Sequence, residues 1–272
     1  MLTSCFLCGS NSAALVADIR TKPARETDFG VSGNYSRQVY QCRACSVYYN
    51  VQQMLDAGIY TDAYNLATYQ RNLAETYDRI WNLPEDRSDN KQRVKRVIEF
   101  NERAGRFLSQ TSVLDVGSGI CVFLGEMKER GFYCYSIDPA ELSTRHAIEH
   151  AKVDGAHAGT LDDFQTDQRF DIIAFNKVLE HVPDPIRVLS RAKQFLSERG
   201  FIYVELPDAA GALENGDAIQ REEFYIEHFT IFTLRSLNYL AEASGLRVVE
   251  SRSIHEPSDK YTLYAFLDQE TR

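Results

Sequence analysis

The sequence predicts a doubly wound α/β protein, a mostly parallel sheet with helices on both faces, preceded by a small metal-held module. Three observations carry this. From residue 112 onward, short apolar runs alternate with amphipathic helical stretches. One of those runs ends in the glycine loop Gly117-Ser118-Gly119, which opens a helix. Two Cys-x-x-Cys pairs stand within the first 45 residues.

The chain has 272 residues, 44% apolar and 25% charged, the balance of a folded globular protein. Thirty Lys and Arg against thirty-nine Asp and Glu give a net charge of -9. That acidity argues against a broad nucleic-acid footprint and against a polybasic membrane anchor. No apolar run approaches the ~18 residues of a spanning helix. The start, Met1-Leu2-Thr3-Ser4-Cys5, lacks the basic-then-apolar pattern of an export signal. A cytoplasmic protein without membrane insertion is expected; the oligomeric state is left open.

Residues 1–50 read as a zinc-binding module. Cys5-Phe6-Leu7-Cys8 and Cys42-Arg43-Ala44-Cys45 supply four thiolates in two knuckles, a closed tetrahedral shell suited to structural Zn2+. Gly9 fits a turn that needs positive φ; Ser46 stands at the matching place after the second pair. Redox pairs or two disulfides are the alternative, disfavoured without export. Tyr35–Tyr40 alternates as a strand. Residues 51–109 read as a helical connector or lid, with Tyr60, Tyr64, Tyr69, Tyr77 and Trp81 packing on a neighbour or closing over a ligand. Val94, Val97, Ile98 and Ala104 mark one face of a helix running toward Phe107.

Residues 110–272 form the main domain. Strands are predicted at Ser112–Val116, Tyr133–Ile137, Asp171–Phe175, Phe201–Leu206, Arg247–Ser253 and Tyr261–Leu267. Helices are predicted near 121–130, 140–151, 185–198 and 233–244. Only residues 255–260 separate the last two strands, too few for a helical crossover, so the final strand should run antiparallel. Cys121 and Cys134 read as small buried residues.

Gly117 and Gly119 permit close backbone approach at the carboxyl edge of the sheet, where open α/β sheets bind ligands. A dinucleotide site of the G-x-G-x-x-G type would need glycine at Val122. Asp115, at the end of its strand, suits a ligand with a cationic amino-acid portion and would repel a pyrophosphate. Asp138, ending the next strand, can accept hydrogen bonds from both hydroxyls of a ribose, and Asp162 from a base's exocyclic amine.

These segments, Leu114-Asp115-Val116-Gly117-Ser118-Gly119, Ile137-Asp138 and Phe170-Asp171-Ile172-Ile173 leading to Leu179-Glu180-His181-Val182-Pro183-Asp184-Pro185, resemble the class I S-adenosylmethionine-dependent methyltransferases. The resemblance implies a Rossmann-like sheet of about seven strands with the last reversed. It places S-adenosyl-L-methionine against Asp115, Gly117, Ser118, Gly119, Asp138, Pro139, Leu161, Asp162 and Asn176. Cys121 crowds the start of the helix.

Methyl transfer to a hydroxyl needs alignment, exclusion of water and a base. His146, His150 and His157 lie on or beside a helix and read as surface residues; His181 sits at the site edge. Phe224-Tyr225-Ile226-Glu227-His228-Phe229 places a Glu-His pair among aromatics, a base of tunable pKa in a dry pocket. This stretch resembles the Tyr-x-Glu-His-Phe-Ser segment of zinc-containing sugar C-methyltransferases, which also carry an N-terminal double Cys-x-x-Cys module. The resemblance assigns active-site roles to Tyr225, Glu227 and His228, with His181 as the other candidate base. A sugar, nucleotide sugar or surface glycan is the implied acceptor, methylated on O or C. Other readings stay open: a small-molecule O-methyltransferase, an NAD-type oxidoreductase, or an inactive glycan-assembly binding module.

Overall fold

The computed structural model describes residues 4–29, 35–54, 72–105, 111–215 and 218–269. Tyr60, Tyr64, Tyr69 and the helix end toward Phe107 lie outside them. The chain forms two compact units. One comprises Tyr60–Asn176 and Arg191–Tyr203; the other comprises Met1–Ile59, Lys177–Ser190 and Val204–Arg272.

The first unit is strand–helix alternation. It holds α1 (Leu73–Trp81), α2 (Asp89–Arg103), β4 (Ser112–Val116), α3 (Val122–Glu129), β5 (Tyr133–Asp138), α4 (Glu141–Glu149), β6 (Gly155–Ala158) and β7 (Phe170–Asn176). β4 pairs in parallel with both β5 and β7, and β5 with β6. Val113, Leu114, Ile172, Ile173, Ala174 and Phe175 are buried, the continuous apolar reading of strands covered on both faces. β8 (Leu196–Pro207) begins earlier than the predicted Phe201, and the helix predicted through residue 198 gives way there. The Ser197 hydroxyl bonds Asp171 of β7, drawing that segment into the sheet.

The α1 helix explains the two aromatic positions of the connector that are described. Tyr77 is buried, stacks on Trp81 and meets His146 and His150 edge-on. Gly125 on α3 makes room for it, because a Cβ there would fall 2.1 Å from the Tyr77 hydroxyl. His146, expected at the surface, is therefore buried, with Nε2 3.1 Å from the Ile120 carbonyl.

The second unit contains a four-stranded antiparallel sheet in the order β1 (Ala13–Ile19), β2 (Arg37–Cys42), β3 (Tyr48–Val51), β9 (Thr230–Ile231). It also holds α5 (Pro185–Ala192, through Ser190), α6 (Ala209–Glu214) and α7 (Leu234–Ala243), the last closed by a reciprocal Thr233–Ser236 cap. β10 (Arg247–His255) and β11 (Tyr261–Asp268) form the expected antiparallel pair. Ile19, Val39, Tyr48, Ala209, Phe224 and Ile231 share one core cluster, so residues far apart in sequence close around β9. The seven-stranded order is β10-β11-β8-β7-β4-β5-β6. Among the described residues no helix is long and apolar enough to cross a membrane.

Candidate active site

The four N-terminal cysteines converge. Cys5 Sγ lies 3.7 Å from Cys45 Sγ, and Cys8 Sγ lies 3.6 Å from Cys42 Sγ. All four sulfurs fall within 4.8 Å of one another. Zinc–sulfur bonds of ~2.3 Å at the tetrahedral angle separate sulfurs by about 3.8 Å, so the cage fits that ion. The thiols are unbridged. Gly9 (φ 71°) and Ser46 (φ 64°) both take the left-handed turn that closes a knuckle, with the Ser46 N–H donating to the Cys42 carbonyl. Burial pushes the Cys42 thiol up, yet the Cys45 and Ala44 N–H groups and neighbouring thiols bring it down to about 7. Burial pushes the Cys5 and Cys45 thiols up instead, so those two would be held as thiolates by the charge of a bound metal.

In the first unit, the loop after β4 is held by β5. Gly117 (φ 73°) donates its N–H to the Ile137 carbonyl at 2.7 Å, and the Ser118 and Ser136 hydroxyls are 2.6 Å apart. Asp138 accepts from the Gly119 N–H at 2.8 Å and, through its other oxygen, from the Ala140 N–H at 2.9 Å. Asp115 is buried at the end of β4 and accepts from the Asn176 amide at 2.8 Å. Cys121 relieves the expected crowding by adopting the left-handed conformation itself (φ 62°), immediately before α3. Leu161 is buried, whereas Pro139 and Asp162 are exposed.

In the second unit, the loop before β9 brings together the other predicted residues. The His181 and His228 rings lie 4.8 Å apart between centroids, nearly edge to face. His181 Nδ1 is 3.1 Å from the Glu227 carbonyl, and His228 Nδ1 is 2.9 Å from the Glu223 carbonyl. A carbonyl only accepts, so each Nδ1 carries the proton and each Nε2 presents its lone pair. Burial lowers His181 to about 4 and, together with the His181 ring, holds His228 well below the usual histidine value. Both imidazoles are therefore neutral at pH 7. Burial raises the Glu180 and Glu227 carboxyls to about 7. Glu180 is nearly fully buried, and its Oε2 has no hydrogen-bond partner among the described residues. Tyr225 is buried as well.

Residues 68–251 match a family described as a methyltransferase domain, over more than half of the chain. The chain belongs to that family. It carries a methyltransferase domain on a Rossmann-like α/β fold. Ubiquinone biosynthesis O-methyltransferase from Histophilus somni is 28% identical over 116 residues, 39% of this chain and 49% of that protein. C-methyltransferase NovU from Streptomyces niveus is 39% identical over 70 residues, 26% of this chain and 16% of that protein. The chain thus spans about half the length, or less, of the curated relatives it matches. The fold resembles the Synechocystis PCC 6803 magnesium protoporphyrin IX methyltransferase crystallised with SAH. That similarity has a TM-score of 0.61 at 15% identity and covers 79% of this chain and all of that one. A second likeness is to 1,6-didemethyltoxoflavin-N1-methyltransferase from Burkholderia thailandensis, with a TM-score of 0.57 at 17% identity. It covers 86% of this chain and 96% of that one. At these identities the structures speak to the fold alone.

Sequence reasoning overlooked three inward-facing polar residues of the methyltransferase's second unit, Arg37 and Asn50 buried and Lys177 half-buried. Lys177 takes a left-handed φ of 61° and bonds Thr262 Oγ1 at 2.6 Å and the Leu206 carbonyl at 3.3 Å. Arg37 and Asn50 sit in the hairpin closed by the second cysteine pair, and both reach the loop 224–228. A lone Arg or Asn in an alternating strand reads as outward-facing; the only hint was its place next to the cysteines.

Proposed function

We propose that the chain transfers the methyl group of S-adenosyl-L-methionine to a sugar or sugar nucleotide, on oxygen or carbon. The acceptor's nucleophilic atom attacks the methyl carbon, the carbon–sulfur bond breaks, and S-adenosylhomocysteine leaves. The acceptor proton passes to His228 Nε2. The observation that carries this is the fixed tautomer: with Nδ1 held on the Glu223 carbonyl, His228 has its basic nitrogen available and uncharged. The Glu223 carbonyl then faces the imidazolium that forms. Glu227 and Tyr225 assist from the same loop, and His181 orients the neighbouring ring.

Asp115 and the Gly117-Ser118-Gly119 loop hold the amino-acid end of the cofactor, Asp138 its ribose, and Leu161 and Asp162 its adenine. Pro139 and Asn176 complete the contacts, Asn176 through its bond to Asp115. The Cys5-Cys8-Cys42-Cys45 cage holds structural zinc and takes no part in the chemistry, because four sulfurs leave no open coordination position. The sugar acceptor is supported by the resemblance of residues 224–229 to the sugar C-methyltransferase segment, and methylation on carbon by the similarity to a C-methyltransferase. A second reading, O-methylation of another small molecule, is favoured by the O-methyltransferase relatives. Radiolabelled methyl transfer to a panel of nucleotide sugars and phenolic acceptors separates them. Label on the phenols alone rejects the sugar reading; turnover of His228→Ala near that of the parent rejects His228 as base.

A further inference from the structure

The loop that carries Tyr225, Glu227 and His228 is held chiefly by side chains of the N-terminal module. Asn50 Nδ2 donates to the Tyr225 carbonyl at 3.0 Å and to the His228 carbonyl at 2.8 Å. Its backbone N–H donates to the Phe229 carbonyl at 3.1 Å. Arg37 Nη1 donates to the Phe224 carbonyl at 2.5 Å and to Asn50 Oδ1 at 2.8 Å. Glu26 Oε1 accepts from the Ile226 N–H at 2.8 Å. The Tyr35 hydroxyl joins the two charges: it donates to Glu26 Oε2 and accepts from Arg37 Nε, each at 2.6 Å. Thus polar groups of residues 224, 225, 226, 228 and 229 are each tied to the module.

From these contacts we infer that Asn50, with Arg37, Glu26 and Tyr35 behind it, is a positioning residue that sets the His228 loop for proton transfer. The module is then a working part of the active site and not only a tether.

Three physical points support it. The Arg37 and Glu26 side chains are fully buried and 3.5 Å apart. Burying an ion pair and an amide is costly, and apolar packing often holds a segment equally well, so such a network is suited to fixing one geometry. The contacts are to main-chain carbonyls and, at Ile226, to a main-chain N–H, so they fix the path of the backbone without engaging the Tyr225 or His228 side chains. The support is itself anchored: β3, which ends beside Asn50, pairs with β9 directly after the loop, Tyr48 opposite Ile231 and Tyr49 opposite Thr230. β2 and β3 are joined at the Cys42–Cys45 knuckle, with the Cys42 N–H donating to the Val47 carbonyl. A metal in the cage would therefore hold the hairpin from which Asn50 projects.

The inference rests on His228 being the base, and the test separates the two. Asn50→Asp keeps the acceptor for Arg37 but turns an oxygen toward the Tyr225 and His228 carbonyls in place of the amide. We expect faster hydrogen–deuterium exchange in the peptide covering 222–232, unchanged SAH affinity, and a kcat lowered about 10-fold to 100-fold. The acid limb of the kcat–pH profile should also shift. Should Asn50→Asp fail to fold, Tyr35→Phe removes one hydroxyl with the ring retained and should give the same changes in smaller measure. Unchanged exchange, or faster exchange with unchanged kcat and pH profile, overturns the inference. If no acceptor in the panel is methylated, unchanged exchange over 222–232 still overturns the inference. His228→Ala is the control: its full activity removes the base assignment, whereas its inactivity beside a fully active Asn50→Asp removes only the positioning role.

Discussion

The two loops that hold the candidate site residues are built on opposite principles. The loop of Gly117 and Gly119 is held by its own neighbourhood: backbone N–H groups meet the Ile137 carbonyl and the Asp138 carboxylate, and the next strand in sequence supplies both. The loop of Glu227 and His228 is held from a distance, by Glu26, Arg37 and Asn50, which precede it by well over a hundred residues. Local anchoring gives a cradle that survives change elsewhere. Remote anchoring makes the loop dependent on the folding of another module.

The sharpest contrast should come from removing one side chain at each place. His228→Ala is expected to cost about 10²-fold to 10⁴-fold in kcat while SAH binds normally by calorimetry. Asp115→Ala should abolish measurable SAH binding and leave the exchange protection of residues 222–232 intact. A His228 variant that loses SAH affinity would erase the distinction.

Metal removal is the next largest effect. Chelation, or Cys42→Ser, should release about one zinc per chain and loosen residues 222–232 in exchange experiments. The Gly117–Gly119 loop should keep its SAH affinity. Equal loss at both places would show that the two are not independently supported.

Acidity should separate them further. The two imidazoles are held below the ordinary histidine value of 6.5, His181 at about 4, so the native protein binds fewer protons than the unfolded chain over that window. Their contribution to stability is present above pH 6.5 and is lost as pH falls toward 4. Activity should fall over the same range. Glu180 and Glu227, raised from 4.5 to about 7, act in the other direction: their contribution is full below pH 4.5 and is lost as pH rises through 7. Glu180→Gln should therefore melt higher than the parent at pH 8, by on the order of 5 °C, with no gain at pH 4. A gain equal at both pH values would mean that the charge of Glu180 is not the cause.

Legibility in the sequence follows the same division. Alternation of period, the two glycines and the carboxylates at strand ends are local signals, and β4, β5, β7, β10 and β11 stand where they predict. Cys121 shows the limit of reading a loop by residue type: a cysteine occupies a left-handed position normally given to glycine. The cysteine spacing announced a cage, but nothing in Arg37 or Asn50 announced that they point inward. Their partners are main-chain carbonyls of residues 224–228, which every residue type offers equally. His146 went astray similarly, because its burial is created by Tyr77, a residue of a different helix.

The commitment of His228 Nδ1 to a carbonyl leaves that ring a single door. On the proposed route the proton arrives at His228 Nε2 and has to depart by that same nitrogen, since the opposite side of the ring opens only onto the main chain. With the methylated product still seated there, the door is shut. The enzyme would then reset only after its product has gone, which ties deprotonation of the ring to product escape and predicts that steady turnover carries a solvent isotope effect in addition to any seen on the first.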